Sequence, residues 1–105
     1  MTTAALYFDI QVDYPTREIA LFGEFDVATA PCLATAIAGF QRVADGDITI
    51  RLDDLTFIDA AGIGAVDRAN SSQTDRGDLL TVTGADVNVR RVFILGKLDE
   101  LLNTA

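Results

Sequence analysis

Histidine is absent from the sequence, and serine occurs only twice, as Ser71 and Ser72. The missing imidazole excludes the commonest general base, the commonest metal ligand, and every serine or cysteine triad that depends on histidine. Neither serine stands in the glycine-flanked turn that presents a nucleophile. Catalysis would have to rely on carboxylates alone, so we expect that the protein is not an enzyme.

Cysteine is represented by Cys32 alone. One cysteine excludes an intramolecular disulfide, and it also excludes a cysteine-rich metal site. We therefore expect neither a metal nor another cofactor. Cys32 falls within a predicted helix, where the usual role of cysteine is that of a small buried hydrophobic residue.

Basic residues are scarce: 8 of them face 16 acidic residues, which gives a formal net charge of −8. A surface of that sign repels nucleic-acid phosphates and anionic lipid headgroups, so we expect no nucleic-acid partner. Apolar runs of the roughly 18 to 20 residues that span a bilayer are also missing. The first ten residues, MTTAALYFDI, lack the basic segment of a signal peptide. We expect no direct membrane insertion and a cytoplasmic location.

The hydrophobic and polar patterns that are present predict one α/β domain over residues 1–105. Residues 6–12 and 17–22 are short β-type runs on either side of a turn with Asp13 and Pro15, which predicts a hairpin. Residues 29–44 have helical spacing, with Thr29 as N-cap and Pro31 in the first turn. The apolar face of this helix consists of Leu33, Ile37, Phe40 and Ala44.

The second half of the chain continues this alternation of strands and helices. Residues 47–55 alternate as a half-buried strand, a helix begins near Gly62 and ends near Gly77, and residues 79–84 form a further strand. Asp86 is positioned to cap a last helix that ends at Gly96. The tail from Lys97 fits a short edge strand or a helical turn. We predict a mixed sheet of four to five strands, with an opening hairpin and helices packed against it.

Two predicted loops follow the carboxyl ends of strands, where partner and ligand sites of such sheets gather. They are GEFDVATAP, with Asp26, and DLTFIDAAGIG, with Asp59. The simplest role for Asp59 is to cap the helix that follows. The corresponding role for Asp26 is to cap the helix after its own loop or to stabilise the turn before it. Alternatively, the two carboxylates converge and bind a cation or act as acid and base.

These segments resemble the STAS domain family, and in particular its anti-sigma factor antagonists. The first segment is similar to the family's G-E-L-D-x-x-T-A-P sequence, and LDDLTFIDAAGIGAV is similar to its L-x-F-[IM]-D-S-S-G-L-G-V-L sequence. VRRVFILGKLDELL resembles the family's third helix and the turn after it. The resemblance covers residues 6 to 102.

The resemblance implies a module that captures an anti-sigma factor, commonly a serine kinase related to histidine-kinase ATPase domains, and so frees a sigma factor. In the family the kinase phosphorylates the second serine of the D-S-S-G turn, and the added charge ejects the antagonist. Here Ala60 and Ala61 replace the two serines. We therefore expect a partner-binding rim that cannot be switched by phosphorylation at Ala61. The implied rim residues are Asp26, Asp59, Ala60, Ala61, Gly62 and Ile63.

Other interpretations stay open at this stage. The missing serine also fits a STAS scaffold, either in a stressosome-like assembly or as the small subunit bound to the ATPase of a phospholipid transporter. A nucleotide-binding module or enzyme that uses Asp26 and Asp59 is the third alternative. Phosphorylation elsewhere would fall on Thr29, Thr56, Ser71 or Ser72, for which a cap, a strand position and a solvated helix end are the simpler roles. The oligomeric state does not follow from the sequence.

Overall fold

The computed structural model describes residues 7–103, which form a five-stranded sheet with helices packed against it. The strands are β1 (Phe8–Asp13), β2 (Glu18–Phe25), β3 (Ile48–Ile58), β4 (Leu80–Thr83) and β5 (Leu102–Asn103). They lie side by side in chain order; β1 pairs with β2 antiparallel, and every later pair is parallel. The predicted hairpin and mixed sheet are therefore confirmed. Residue 6 of the first predicted strand and residues 104–105 of the tail lie outside the described residues.

Three α-helices connect the strands: α1 (Ala30–Val43), α2 (Ala60–Asp75) and α3 (Val87–Leu95). The inward residues of the sheet and the buried residues of all three helices form one hydrophobic core, as the spacing predicts. In α1, Leu33, Ile37 and Phe40 are buried, but the helix ends at Val43 and Ala44 is exposed. The prediction of a buried Ala44 was wrong because that residue already has an extended backbone.

Cys32 contradicts the expectation of a buried thiol. It lies in the first turn of α1 beside Pro31, and its side chain is exposed. The buried face of α1 in this turn is formed by Ala30 and Leu33, and Cys32 lies between them in sequence on the opposite side of the helix.

Strand β3 is longer than the sequence pattern indicates. Residues 56–58, predicted to lie in the loop after the strand, belong to the strand, which continues to Ile58. Its alternation is broken after Leu52, because Leu52, Leu55 and Ile58 are all buried although they are three residues apart. The pairing of β2 with β3 shifts register twice in this region. Such bulges let two residues on one strand oppose one on the other, and so restore the inward direction of each leucine and isoleucine.

The end of the described chain combines both structures considered for the tail. A short 3-10 turn covers Asp99–Leu101, and β5 then pairs parallel with β4. Asp86 caps α3 by accepting a hydrogen bond from the Val89 N–H at 2.9 Å, and Gly96 is the C-cap, as predicted. No helix within residues 7–103 has the length and hydrophobicity that crossing a bilayer requires.

Candidate partner-binding site

The candidate site lies at one edge of the sheet, where β2 and β3 end side by side. Phe25 and Ile58, the last residues of these parallel strands, are register partners. Asp26 and Asp59 follow directly, and the Asp59 N–H donates a hydrogen bond to the Phe25 carbonyl at 3.3 Å. The two predicted loops therefore begin at the same edge, as parallel strands require.

Asp59 is the N-cap of α2. Its Oδ1 accepts a hydrogen bond from the Gly62 N–H at 3.0 Å, and its carbonyl accepts the first helical bond, from the Ile63 N–H at 2.9 Å. The carboxylate thus satisfies one of the amides that a helix start leaves without a partner. This confirms the capping role predicted for Asp59.

Asp26 stabilises its own turn in a similar way. Its Oδ1 accepts hydrogen bonds from the N–H groups of Ala28 at 3.0 Å and Thr29 at 3.2 Å. Thr29 holds the predicted N-cap position of α1, but its hydroxyl donates to the Glu24 carbonyl at 3.1 Å and accepts from the Asp26 N–H at 2.9 Å. The prediction of a side-chain cap by Thr29 was therefore wrong, because the hydroxyl turns back toward the strand.

The two carboxylates are thus each bound to backbone amides of their own loop. Within residues 7–103 no group of three or more acidic or cysteine side chains is arranged to hold a metal ion. The arrangement positions two loops firmly, and it leaves the surface between them free to contact another molecule.

Of the first four residues of α2, two reach the surface and two are buried. Ala60 is exposed and Ala61 is half-buried, so both reach the surface of the turn. Gly62 is buried, and a Cβ placed there would lie 2.7 Å from both the Phe25 carbonyl oxygen and Ile58 Cγ1. Ile63 is 8% exposed and packs under Gly96 at the end of α3. A partner at this rim would touch the alanines, while Gly62 and Ile63 hold the turn in place.

A groove of about 620 Å³ between α1 and α2 opens beside this turn. The sequence analysis did not predict this groove. Its signal is the recurrence of alanine every four residues on both helices, which places small side chains along the facing sides of the two helices. The groove begins at Val27, whose side chain is 74% exposed. Among the described residues of its lining, Arg68 is the one with a charged side chain. The remaining lining residues are Ala30, Pro31, Ala34, Ile37, Ala38, Gln41, Ala60, Ala61, Gly64, Ala65, Ala69 and Ser72.

The three remaining hydroxyl groups considered for phosphorylation occupy different surroundings. Thr56 lies on β3 and donates to the Gly23 carbonyl at 3.0 Å, which fits the strand position predicted for it. Ser71 is exposed on α2. Ser72 is half-buried and accepts a hydrogen bond from Gln41 Nε2 at 2.9 Å, so it faces α1 and not a solvated helix end.

Comparison with solved structures shows the same fold in proteins of low sequence identity. The anti-sigma factor antagonist SpoIIAA in its unphosphorylated form has a TM-score of 0.74 at 19% identity, over 94% of this chain and 88% of that chain. The Bacillus cell fate determinant SpoIIAA in the phosphorylated form has a TM-score of 0.67 at 20% identity, over 94% of this chain and 91% of that chain. A sulfate transporter family protein from Wolinella succinogenes has a TM-score of 0.70 at 18% identity, over 82% of this chain and 74% of that chain.

The sequence comparisons give one family. None of the curated proteins matches this chain. The model of the family "Mlab, STAS domain" matches residues 10–103, which include every strand and helix except the first two residues of β1. The resemblance noted from the sequence motifs is therefore confirmed, and the chain belongs to the STAS domain family.

Proposed function

We propose that the protein is an anti-sigma factor antagonist-like module, which acts by binding an anti-sigma factor of the serine-kinase type and thereby frees a sigma factor. The observation that carries this proposal is the turn at Asp59, which presents Ala60 and Ala61 at the surface in a fold similar to that of SpoIIAA. In this role the module catalyses no reaction and acts in the cytoplasm.

The chemistry of this turn supports a partner complex that phosphorylation does not dissolve. Ala61 has no oxygen that could accept a phosphoryl group, and its side chain is close in size to that of serine. A phosphate would add a charge of about −1.5 to −2 beside Asp59, and alanine excludes that addition. The complex is therefore held as if permanently unphosphorylated.

The neighbouring groove supplies apolar area for such a complex. Val27 lies at its entrance with most of its side chain in solvent, and Ala60 and Ala61 form the adjoining wall. Exposed apolar groups that surround a rigid turn are typical of the centre of a protein interface. We expect the partner to cover Val27 together with the two alanines.

An affinity pull-down from the native host tests the proposal, with bound proteins identified by mass spectrometry. The wild type should retain an ATPase-type anti-sigma kinase. Ala61→Glu should lose it, because the added carboxylate brings a second negative charge beside Asp59 into the interface. Ala44→Glu is the matched control: it adds the same charge at an exposed position after the far end of α1. Loss of the kinase in Ala44→Glu to the same extent would contradict a contact at the turn.

A structural subunit is the second candidate function. It is favoured by the absence of a hydroxyl group at Ala60 and Ala61, since a scaffold needs no phosphorylation, and by the likeness to a sulfate transporter family protein. In that case the pull-down would recover a large STAS scaffold or the ATPase of a phospholipid transporter in place of the kinase. The turn at Asp59 would then act mainly as a helix cap.

A further inference from the structure

The sheet has one face covered by helices and one face turned to solvent. Along β2, Ile19, Leu21, Gly23 and Phe25 are buried, and the residues between them are only partly buried. The buried residues of α1, α2 and α3 join the same core as the inward strand residues. We call the other side, formed by the outward residues of β1, β2 and β3, the outer face.

Within residues 7–103 no helix covers the outer face, which is unusual for a sheet with several parallel strands. Strands β2 to β5 are all parallel, and parallel sheets are normally covered on both sides. Antiparallel sheets commonly leave one side in water, but here only the β1–β2 pair is antiparallel. The topology therefore leaves this side available to another molecule.

Aromatic side chains are exposed on the outer face near the ends of β2 and β3. Tyr7 is 60% exposed, Phe57 is 47% exposed, and Phe22 is partly exposed. A hollow of about 450 Å³ lies beside two of these rings, and its lining consists of Tyr7, Phe22, Gly23, Glu24, Asp54 and Thr56. Aromatic rings at the surface are the groups that protein interfaces use most often as anchors.

Carboxylates alternate with these rings across the strands. Register pairing places Asp9, Phe22 and Asp54 in one row across β1, β2 and β3, and it places Glu24 beside Phe57. The nearby cation, Arg51, binds Asp53 at 2.9 Å and lies 3.9 Å from Glu18. The hydrogen bond to Asp53 raises the pKa of Arg51, and the nearby carboxylates of Glu18 and Asp54 raise it further.

The geometry points to a cationic polypeptide segment of a partner protein as the occupant of the outer face. A lysine or arginine side chain enters the hollow, with its stem on Phe22 and Tyr7 and its charged end between Glu24 and Asp54. Aromatic faces attract cations, and carboxylates bind them through charge-assisted hydrogen bonds. The negative sign of the face disfavours nucleic acids and anionic lipids.

This docking surface goes beyond the proposed function, because it lies on the side of the sheet away from the helices and the Asp59 turn. It does not depend on the identity of the anti-sigma factor. The cationic segment is therefore a separate partner, and we expect variants of the Asp59 turn to change its affinity little.

The test uses a synthetic peptide of about nine residues that alternates lysine and leucine, with blocked ends, and a glutamate-for-lysine peptide as its control. Titration of the isotope-labelled protein is followed by backbone amide shifts at physiological salt. We expect saturable shifts at residues 7–11, 22–24 and 54–57 with the lysine peptide alone. Glu24→Gln with Asp54→Asn should weaken binding by about tenfold.

A matched double variant separates docking from general attraction to an acidic protein. Asp67→Asn with Asp75→Asn removes the same charge from two exposed positions on α2, and it should change affinity by less than about twofold. Equal weakening by both double variants, shifts centred on the helices, or no saturable binding would each overturn the proposal. Concentration-dependent dimerisation of the protein alone that the Glu24 and Asp54 variant abolishes would also overturn it, since the occupant would then be a second copy.

Discussion

The Asp59 N–H donates a hydrogen bond to the Phe25 carbonyl at 3.3 Å, and this contact ties the end of β3 to the end of β2. Below it, Gly62 lies against the same carbonyl and against Ile58. The first turn of α2 therefore sits directly on two strand ends. Such support is what a binding turn needs in order to present the same surface in the free and bound protein.

Capping by Asp59 should contribute measurably to stability. In Asp59→Ala the Gly62 N–H loses its acceptor, and we expect the free energy of unfolding to fall by about 1 kcal/mol. Urea denaturation followed by circular dichroism measures the change. Asp86→Ala, which removes the equivalent bond to Val89 in α3, should have a similar effect. If Asp59→Ala left stability unchanged while Asp86→Ala lowered it, the cap at the candidate site would be refuted.

Two glycines of α2 should respond in opposite directions to alanine. A Cβ at Gly62 meets the Phe25 carbonyl oxygen at 2.7 Å, so Gly62→Ala should destabilise the protein by about 2 kcal/mol or more. A Cβ at Gly64 meets only the flexible end of Arg68, at 3.3 Å, and Gly64→Ala should stabilise by up to about 1 kcal/mol because alanine favours helix. Thermal and urea denaturation of both variants check the contrast; equal effects would contradict the packing described for Gly62.

Gln73 should be the most costly polar residue of α2 to replace. It is fully buried, and its Nε2 donates to the carbonyls of Gly46 at 2.9 Å and Leu79 at 3.2 Å. Gln73→Leu keeps the volume but removes both hydrogen bonds. Each carbonyl keeps a second donor, Arg17 Nη2 or the Ile48 N–H, so we expect the free energy of unfolding to fall by about 1 to 3 kcal/mol. Thr74→Ala, at the next and exposed position, should change the free energy of unfolding by about 0.5 kcal/mol or less. If Gln73→Leu left the free energy of unfolding unchanged, water would have replaced the side-chain amide as the donor.

Ala61→Ser should return a phosphorylation switch to the turn. With the captured kinase and ATP, this variant should incorporate phosphate and dissociate, because the new dianion lies beside Asp59. The wild type should incorporate none at the turn, and Ala60→Ser is the positional control. Intact-protein mass spectrometry measures the incorporation of phosphate, and size-exclusion chromatography measures dissociation of the complex. Phosphorylation of wild type at Thr29 or Thr56 with release of the partner would contradict a constitutive complex.

Local sequence patterns were sufficient where short-range chemistry decides the structure. The caps by Asp59 and Asp86 and the parallel strand ends beside Asp26 follow from residue type and spacing alone. The pattern failed where distant contacts decide. The hydroxyl of Thr29 bonds to β2, and the bulges of β3 depend on its pairing with β2.

The candidate site shows the same division. Motif resemblance identified the turn, but it did not distinguish the surface residues Ala60 and Ala61 from Gly62 and Ile63, which are buried by β2, β3 and α3. The groove between α1 and α2 depends on how two distant helices pack, so helical periodicity alone could not locate it.

The most direct test is the dissociation constant of the complex with the captured kinase, measured by isothermal titration calorimetry for wild type, Ala61→Glu and Ala44→Glu. We expect Ala61→Glu to bind at least about tenfold more weakly than the wild type. Its unfolding free energy should not fall, because a carboxylate in the first turn of α2 favours the helix by about 0.3 to 1 kcal/mol. Ala44→Glu should bind like the wild type. Wild-type affinity in Ala61→Glu would contradict the claim that this turn is the partner-binding surface.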